Sequence, residues 1–223
     1  MDRILRAEDG WQNAIARALA HASRPIPLDD RLLARSRDGE AIRRRYDRAS
    51  FPPARPAATL LAIYPDDGGQ LVVPLTVRRD ELRSHAGEVS LPGGAVDAAD
   101  ASREAAALRE AWEEIGLEPA SVTVIGELDD IWIPVSNYEL RSVVGAVTER
   151  PNLVPHDAEV AAIVELPISA LFDPDVVGLE EFETRGLRLH AGAYRYGGIR
   201  VWGATAQTLG IFAHVLQEAA ESR

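Results

Sequence analysis

Three glutamates lie within one short stretch of the chain, "LREAWEEIGL" at residues 108–117. At helical spacing, Glu110, Glu113 and Glu114 share one helix face, and like charges at these separations repel one another. Carboxylate oxygens gathered on one face are also the ligands that Mg²⁺ or Mn²⁺ prefers. The stretch therefore has two interpretations: a solvated, glutamate-rich helix surface, or a site for a divalent cation.

The surrounding residues predict a helix over 102–115 that ends directly after the carboxylates. Asp100 is the candidate N-cap, because its carboxylate can accept a hydrogen bond from a free N–H of the first turn. Gly116 suits the left-handed position that ends many helices, and Pro119 prevents continuation. Apolar residues at helical spacing form the face that we expect to be buried: Leu108, Ala111, Trp112 and Ile115.

A glycine-containing loop precedes this helix in the stretch "SLPGGAVDAAD". Gly93 and Gly94 let the backbone turn tightly and bring its carbonyls close to a bound ion. Arg109 can pair with Glu113 one turn further along the helix, and its planar fork can also reach the preceding loop. A Gly-Gly turn is common by itself, but its position before a helix that carries R-E-x-x-E-E-x-G is specific.

The loop and helix together resemble the box of the Nudix hydrolases, G-x5-E-x7-R-E-U-x-E-E-x-G-U, in which U is a bulky aliphatic residue. The positions that match its second half are Arg109, Glu110, Glu113, Glu114, Gly116 and Leu117. The first half is one residue longer than the pattern, so the upstream glutamate falls at Asp100 or at Ala101. Ala111 stands where a larger aliphatic residue is usual.

The stretch before the box resembles a second motif, which belongs to the coenzyme A pyrophosphatase branch of that family. The motif reads approximately L-L-T-x-R-S-x-x-L-R-x-H-x-G-x-V-x-F-P-G-G, and here the text is "PLTVRRDELRSHAGEVSLPGG" at 74–94. Arg79 replaces the usual serine and adds charge beside the expected phosphate site. The late stretch "VWGATAQTLGI" also resembles the I-W-G-L-T segment of this branch, so the resemblance covers roughly residues 56–216.

The resemblance implies metal-dependent hydrolysis of coenzyme A or a derivative, with Mg²⁺ or Mn²⁺ as cofactor. It implies that Glu113 and Glu114 are metal ligands, and that Glu110 either binds metal or orients the attacking water as a general base. The backbone of Gly93 or Gly94 is expected to supply a further oxygen. Arg109 is interpreted as a structural partner that holds the loop on the helix, and Gly116 as the helix terminator.

Four further residues are candidates for the same site. Glu159, in "PHDAEVAAIVELP", is the best-placed additional ligand in a later segment, although an exposed glutamate at a strand edge is an equal interpretation. Arg78, Arg83 and His85 are expected to bind the phosphates of the substrate, and a buried His85 that fixes its loop is the alternative. Glu180 and its neighbours in "GLEEFETRG" are expected to form a solvated loop.

The elements that position these residues predict an α/β or α+β fold, which the resemblance specifies as a Nudix α/β/α sandwich with a mixed sheet. Strands are expected in apolar stretches such as "ATLLAIYP" and "QLVVPLTVRR", with a hairpin at "DDGG". A second hairpin is expected at "YGG", a helical turn at "ISALFD", and a final helix in "TAQTLGIFAHVLQEAAES". We expect residues 1–55 to form a helical N-terminal extension and residues 56–223 the main domain.

Composition excludes several other kinds of site. The formal net charge is −11 and the chain contains no Cys, so nonspecific nucleic-acid binding, disulfides and thiolate chemistry are not expected. No stretch has the length and hydropathy of a membrane span, and no signal peptide is apparent, so a cytoplasmic protein that acts on a small molecule is expected. A homo-oligomer is compatible with this sequence.

Two alternatives to coenzyme A hydrolysis remain. One is a pyrophosphatase that acts on ADP-ribose, NADH or a nucleoside triphosphate, since the fold cannot choose among these substrates. The other is a module that binds a nucleotide without cleaving it, an interpretation that the loss of box carboxylates would favour. All three glutamates of the box are present.

Overall fold

The computed structural model of the chain describes residues 6–35, 46–79, 88–184 and 187–222. The helices are α1 (Trp11–His21), α2 (Arg103–Ile115) and α3 (Gly203–Glu221). The strands are β1 (Arg55–Pro65), β2 (Leu71–Arg78), β3 (Val89–Ser90), β4 (Gly93–Ala95), β5 (Thr123–Glu127), β6 (Ile131–Ile133), β7 (Tyr138–Ala146), β8 (Val160–Pro167), β9 (Val177–Thr184), β10 (Leu187–Tyr196) and β11 (Ile199–Val201).

The main sheet is mixed and is built around β1. This strand pairs in parallel with β7 and antiparallel with β2 and β4, and the strand order through the centre is β3-β2-β1-β7-β5. β8 pairs with β2, and β6 pairs with β7. Because β4 continues directly into the loop before α2, its pairing with β1 fixes where that helix begins.

Alternating side chains of β1 separate the two faces of the main sheet. Ala58, Leu60 and Ala62 pack in the cluster that contains the buried face of α2. Leu61 and Ile63 pack in the larger cluster to which α1 and α3 contribute. The sheet is therefore covered by helices on both faces, and the fold class predicted from the sequence is confirmed.

Helix α3 is buried on nearly all sides from residue 206 to residue 213. One side faces the main sheet, and the other faces a second, three-stranded sheet of order β11-β10-β9 together with the N-terminal segment. At Gly210 a Cβ atom would lie 2.7 Å from Leu32 Cδ1, so a larger residue there would displace the Leu32 side chain. A helix buried all round lacks a polar stripe, which agrees with its apolar sequence.

The N-terminal segment is part of this packing. Trp11, Ile15 and Leu19 of α1 belong to the same buried cluster as Leu61 and Ile63 of the central strand. The division of the chain into an extension over 1–55 and a domain over 56–223 stays a prediction. None of the helices in the described part of the chain is long and apolar enough to cross a membrane.

The two hairpins and the helical turn predicted from the sequence are present. The β1–β2 turn contains the "DDGG" stretch, the β10–β11 turn contains Gly197 and Gly198, and a 3₁₀ turn spans Ile168–Phe172. The prediction for Glu180 was wrong, because this residue lies in β9 and is only 7% exposed. Its carboxylate accepts hydrogen bonds from Arg195 and Arg200 of the neighbouring hairpin, partners that a local sequence pattern cannot reveal.

A chain of buried hydroxyl groups connects α3 to the strand beneath the glycine loop. Ser142 Oγ lies 2.9 Å from Thr59 Oγ1 and donates a hydrogen bond of 3.3 Å to Thr208 Oγ1. All three residues are buried, and Thr59 is also the β1 partner of Gly93. The chain of hydroxyls therefore fixes α3, β7 and β1 in register at the level of the glycine loop.

Replacing Ser142 by alanine should lower the free energy of unfolding by about 1–3 kcal/mol, because the buried hydroxyls of Thr59 and Thr208 lose their shared partner. Denaturant unfolding of the Ser142→Ala variant measures this loss. The matched control is Ser121→Ala, which removes an exposed hydroxyl and should change stability by less than about 0.5 kcal/mol. Equal losses in the two variants would contradict the importance of the buried chain.

Candidate active site

The N-terminus of α2 is capped by Ser102, whose side chain accepts a hydrogen bond of 3.0 Å from Ala105 N. The prediction that Asp100 is the N-cap was wrong, because its carboxylate is engaged elsewhere. Both oxygens of Asp100 accept hydrogen bonds of 3.0 Å from Arg109. Of the two positions at which the pattern places its upstream carboxylate, Asp100 is the one with an acidic side chain, and it forms an ion pair with Arg109.

The C-terminus of α2 is as the sequence predicts. Gly116 has φ of 67°, the left-handed conformation, and its N–H bonds to the carbonyls of Ala111 and Trp112. Ala111 and Ile115 are buried, as expected, whereas the side chain of Trp112 is 50% exposed. The prediction that Trp112 belongs to the buried face was wrong, because small alanines on the adjoining face take the contact with β1.

Arg109 forms the electrostatic centre of the site. Besides Asp100, its guanidinium donates to Glu110 Oε1 and Glu113 Oε2, both at 2.9 Å, and to the carbonyl of Ala95 at 3.3 Å. The hydrogen bonds with Arg109 hold the pKa of the Asp100 carboxyl below its ordinary value. In return, Asp100 and then Glu110 raise the pKa of Arg109, so the guanidinium stays charged and holds the loop on the helix.

Gly94 provides the space for the Glu110 carboxylate. A Cβ atom at Gly94 would lie 2.5 Å from Glu110 Oε1 and 2.7 Å from its carboxyl carbon. The carboxylate therefore lies directly against bare backbone. Burial raises the pKa of Glu110, and the ion pair with Arg109 opposes this shift.

Glu114 is the most buried of the three helix carboxylates, at 7% exposure. Its Oε2 accepts a hydrogen bond of 3.3 Å from Gly93 N. Burial raises the pKa of the Glu114 carboxyl to about 7, the Gly93 N–H opposes this shift, and the charge of Glu110 adds to it. Such a carboxylate is costly to ionise unless a cation arrives, because charge is poorly solvated there.

Two residues at the ends of other elements, Arg78 and Glu159, act electrostatically on the same carboxylate. The charge of Arg78, at the end of β2, lowers the pKa of Glu114, and the charge of Glu159 raises it. The Nε atom of Arg78 is buried and has no hydrogen-bond partner among the residues that the structure describes. Glu159 is exposed and directly precedes β8, and its carbonyl accepts a hydrogen bond of 3.1 Å from Arg79 N. The hydrogen bond between Arg79 N and the Glu159 carbonyl holds the end of β2 next to the start of β8, and the roles of Arg78 and Glu159 stay predictions.

A segment far along the chain caps the other end of α2. Val154 N donates to the carbonyl of Ile115 at 2.9 Å, and His156 N donates to the carbonyl of Glu114 at 2.8 Å. These bonds satisfy carbonyls that a helix end leaves without partners. No pattern in the sequence predicts this contact, because the backbone N–H group of any residue except proline can make it.

Glu113 differs from its two neighbours. It is exposed, and its carboxylate points to Arg109 in an i,i+4 ion pair. Within the described residues, no three Asp, Glu or His side chains are arranged to hold a metal ion. Arg83 and His85 lie outside the described residues, in the segment 80–87.

The donor set nevertheless fits a hard divalent cation. Glu110 and Glu114 present carboxylates beside the partly buried backbone of Gly93 and Gly94, and burial raises the pKa of both carboxyls. Oxygen ligands of this kind suit Mg²⁺ or Mn²⁺, and an arriving cation would favour their ionised form. The predicted roles of the three glutamates stay predictions.

The sequence was compared with models of protein families and with known proteins, and the matches are to Nudix proteins. The model of the NUDIX domain matches residues 53–185. A Citrobacter koseri protein described as an uncharacterized Nudix hydrolase NudL is 36% identical over 193 residues, which cover 81% of this chain and 90% of that protein. The chloroplastic Nudix hydrolase 22 of Arabidopsis thaliana is 37% identical over 167 residues, which are 71% of this chain and 54% of that protein.

Solved structures give a weaker likeness. The Nudix hydrolase RenU of M. smegmatis has 24% sequence identity and a TM-score of 0.44, over 63% of this chain and 82% of that protein.

The burial of Glu114 predicts a pH-dependent stability in the absence of metal. The folded-state pKa of about 7 exceeds the ordinary value of 4.5. The preference of the folded state for the protonated Glu114 carboxyl therefore adds to the free energy of unfolding in full below about pH 4.5, and this contribution is lost as the pH rises through about 7. The loss corresponds to at most about 3 kcal/mol. In EDTA, wild type should therefore lose unfolding free energy between pH 4.5 and 8 relative to Glu114→Gln, which keeps the shape and the acceptor for Gly93 N.

Denaturant unfolding at several pH values measures this difference. Glu104→Gln is the matched control, because Glu104 is an exposed carboxylate in the first turn of the same helix. Parallel pH profiles for wild type and Glu114→Gln would show that the carboxyl of Glu114 is not costly to ionise.

Proposed function

This chain belongs to the NUDIX domain family, and we propose that it hydrolyses the pyrophosphate bond of coenzyme A or a coenzyme A derivative, giving 3′,5′-ADP and 4′-phosphopantetheine. Membership of the family supports hydrolysis of a nucleotide-derived diphosphate. The choice of coenzyme A is the finer part of the proposal, and it rests on the stretch over residues 74–94.

One observation carries this choice. The text "PLTVRRDELRSHAGEVSLPGG" resembles the coenzyme A branch, and in the folded chain it leads through β2 and β3 into the glycine loop of the site. At the end of β2, the charge of Arg78 acts on Glu114. A cation at this position suits an anionic substrate in a protein whose net charge is −11. We assign Arg78, Arg83 and His85 to binding of the substrate phosphates.

The carboxylates of α2 are assigned to the metal. Glu110, Glu113 and Glu114 would hold Mg²⁺ or Mn²⁺, with the backbone carbonyl of Gly94 and the carboxylate of Glu159 as further oxygens. The bound ion would neutralise the pyrophosphate and lower the pKa of a bound water. To bind the ion, the Glu113 carboxylate would have to turn away from Arg109. Arg109 would then still donate hydrogen bonds to Asp100 and to the Ala95 carbonyl.

The protein's own groups supply the proton acceptor and the alignment. Glu110 lies against Gly94, and its raised pKa suits a general base, so orientation of the attacking water is its alternative role. Arg109 keeps the glycine loop on α2, and the Gly93 N–H orients Glu114. Arg109 is therefore assigned to positioning the site and the glutamates to the chemistry.

Incubation with coenzyme A, ADP-ribose and NADH, each with Mg²⁺ or Mn²⁺, tests the proposed reaction. The expected result is 3′,5′-ADP and 4′-phosphopantetheine from coenzyme A, detected by chromatography, and no products in EDTA. Cleavage of ADP-ribose or NADH without cleavage of coenzyme A would keep the diphosphatase chemistry and refute the substrate. Binding without cleavage of any of the three would favour a nucleotide-binding module.

Removing one carboxylate charge tests the assigned ligands. Glu113→Gln should lower kcat by about 10²-fold or more, since the amide is a poor ligand for a cation that stabilises the transition state. Glu104→Gln, on the first turn of the same helix, should leave kcat within about twofold of wild type. Activity at several metal concentrations measures both, and an unchanged kcat in Glu113→Gln would remove Glu113 from the metal site.

A further inference from the structure

Residues 150–165 form a U-shaped segment, and we use this name for the whole of that range. Its first arm begins at Arg150, beside Asp67 in the β1–β2 turn, and runs to Val154 and His156 at the C-terminus of α2. The bend follows at 156–159, where Glu159 N and Val160 N both donate to the carbonyl of His156. Its second arm is β8, which runs back along β2.

A groove of about 670 Å³ lies between the two arms. Its first wall is formed by residues 150–153 and Pro155, and its second wall by Ile163 and Glu165 of β8. This volume lies within the range of about 300–1,000 Å³ that is usual for sites that bind small molecules.

A cluster of charged residues lines the end of the groove away from α2. Arg150 donates to both oxygens of Glu165, at 3.2 and 2.8 Å, and also contacts Asp67. The buried Tyr64 hydroxyl donates to the same Glu165 at 2.9 Å. Arg150 is the only cation among the lining residues, and its charge is already paired with two carboxylates, so the groove does not suit a phosphate.

The walls instead suit an uncharged ligand with hydrogen-bond donors. Pro151 and Pro155 have no N–H, so their stretches of backbone offer carbonyl acceptors. The amide of Asn152 is both donor and acceptor, while Leu153 and Ile163 add apolar surface that is continuous with the core beneath α2.

The other end of the groove leads toward the proposed metal site. The bend of the U-shaped segment carries Glu159, whose carbonyl accepts a hydrogen bond from Arg79 N directly after β2, and the first arm caps the turn of α2 that carries Glu114. From Glu159 to Glu165 the strand covers about 20 Å at roughly 3.3 Å per residue. A substrate whose pyrophosphate lies at Glu114 can therefore extend an arm along β8.

We propose that the groove between the arms of the U-shaped segment binds the uncharged, non-reacting arm of the substrate, a chain of amide and hydroxyl groups such as that of pantetheine. The inference rests on the proposed function, because that function places the reacting pyrophosphate at α2. It assigns substrate selection to Asn152 and Ile163, which the sequence motifs do not include. The paired charges of Arg150, Glu165 and Asp67 set the length of arm that fits.

The test uses a variant whose side chain fills the groove. It compares two substrates that contain the same pyrophosphate bond. Asn152→Trp places an indole in the groove, and Asn13→Trp is the matched control, because Asn13 is exposed on α1. The substrates are coenzyme A and the methyl ester of 3′-phosphoadenosine 5′-diphosphate, which lacks the pantetheine arm. Asn152→Trp should raise the KM for coenzyme A about tenfold and leave the kcat and the KM for the methyl ester unchanged. Asn13→Trp should behave as wild type.

A second measurement does not depend on activity. Pantetheine alone is titrated into the protein in EDTA and followed by NMR, with binding expected for wild type and Asn13→Trp and lost in Asn152→Trp. Equal effects of Asn152→Trp on the two substrates, or no effect on either, would overturn the inference and leave the proposed function intact. If wild type cleaves neither substrate, the proposed function fails, and absence of pantetheine binding would then overturn the groove assignment as well.

Discussion

The geometry of the site depends on the hydrogen bonds that the guanidinium of Arg109 makes. It joins the loop before α2 through Asp100, the glycine strand through the Ala95 carbonyl, and the helix through Glu110 and Glu113. The planar fork of arginine can serve several acceptors at fixed angles, which the single ammonium of lysine cannot do. One side chain thus offsets the repulsion between neighbouring carboxylates and fixes the distance between the loop and the helix that carries them.

The same contact explains how a loop of unusual length is tolerated. The loop before α2 is one residue longer than the box pattern, yet Asp100 reaches Arg109 with both oxygens at 3.0 Å. Ser102, two positions after Asp100, takes the capping role at the helix start. The ion pair therefore does not depend on one fixed loop length. Asp100 supplies the charge from within the loop, and Ser102, the last residue before the helix, supplies the cap.

Local patterns predicted the elements and missed the contacts between distant ones. Helix α2, its end at Gly116 and both hairpins follow from periodicity and from turn residues, which act over a few positions. Asp100 has the residue type of an N-cap, but its carboxylate pairs with Arg109, and the local pattern does not decide between these two partners. Glu180 appeared solvated for the same reason, since Arg195 and Arg200 belong to another hairpin. The burial of Glu114 depends on tertiary packing, which no spacing of glutamates encodes.

Glu114 lies where two such distant contacts meet. Gly93 approaches it from one side because a Cβ there would lie 2.4 Å from the Ala58 carbonyl, so only glycine allows β4 to run this close to β1. His156 N donates a hydrogen bond to the backbone carbonyl of the same residue. The carboxylate is thereby buried in a position that disfavours its charge, and local rules of this kind are broken chiefly at functional sites. Because the U-shaped segment makes the second contact and also carries Glu159, a shift of that segment would move the Glu159 charge and the cap of Glu114 together. A ligand in its groove would therefore act on the same backbone that positions the proposed metal ligands.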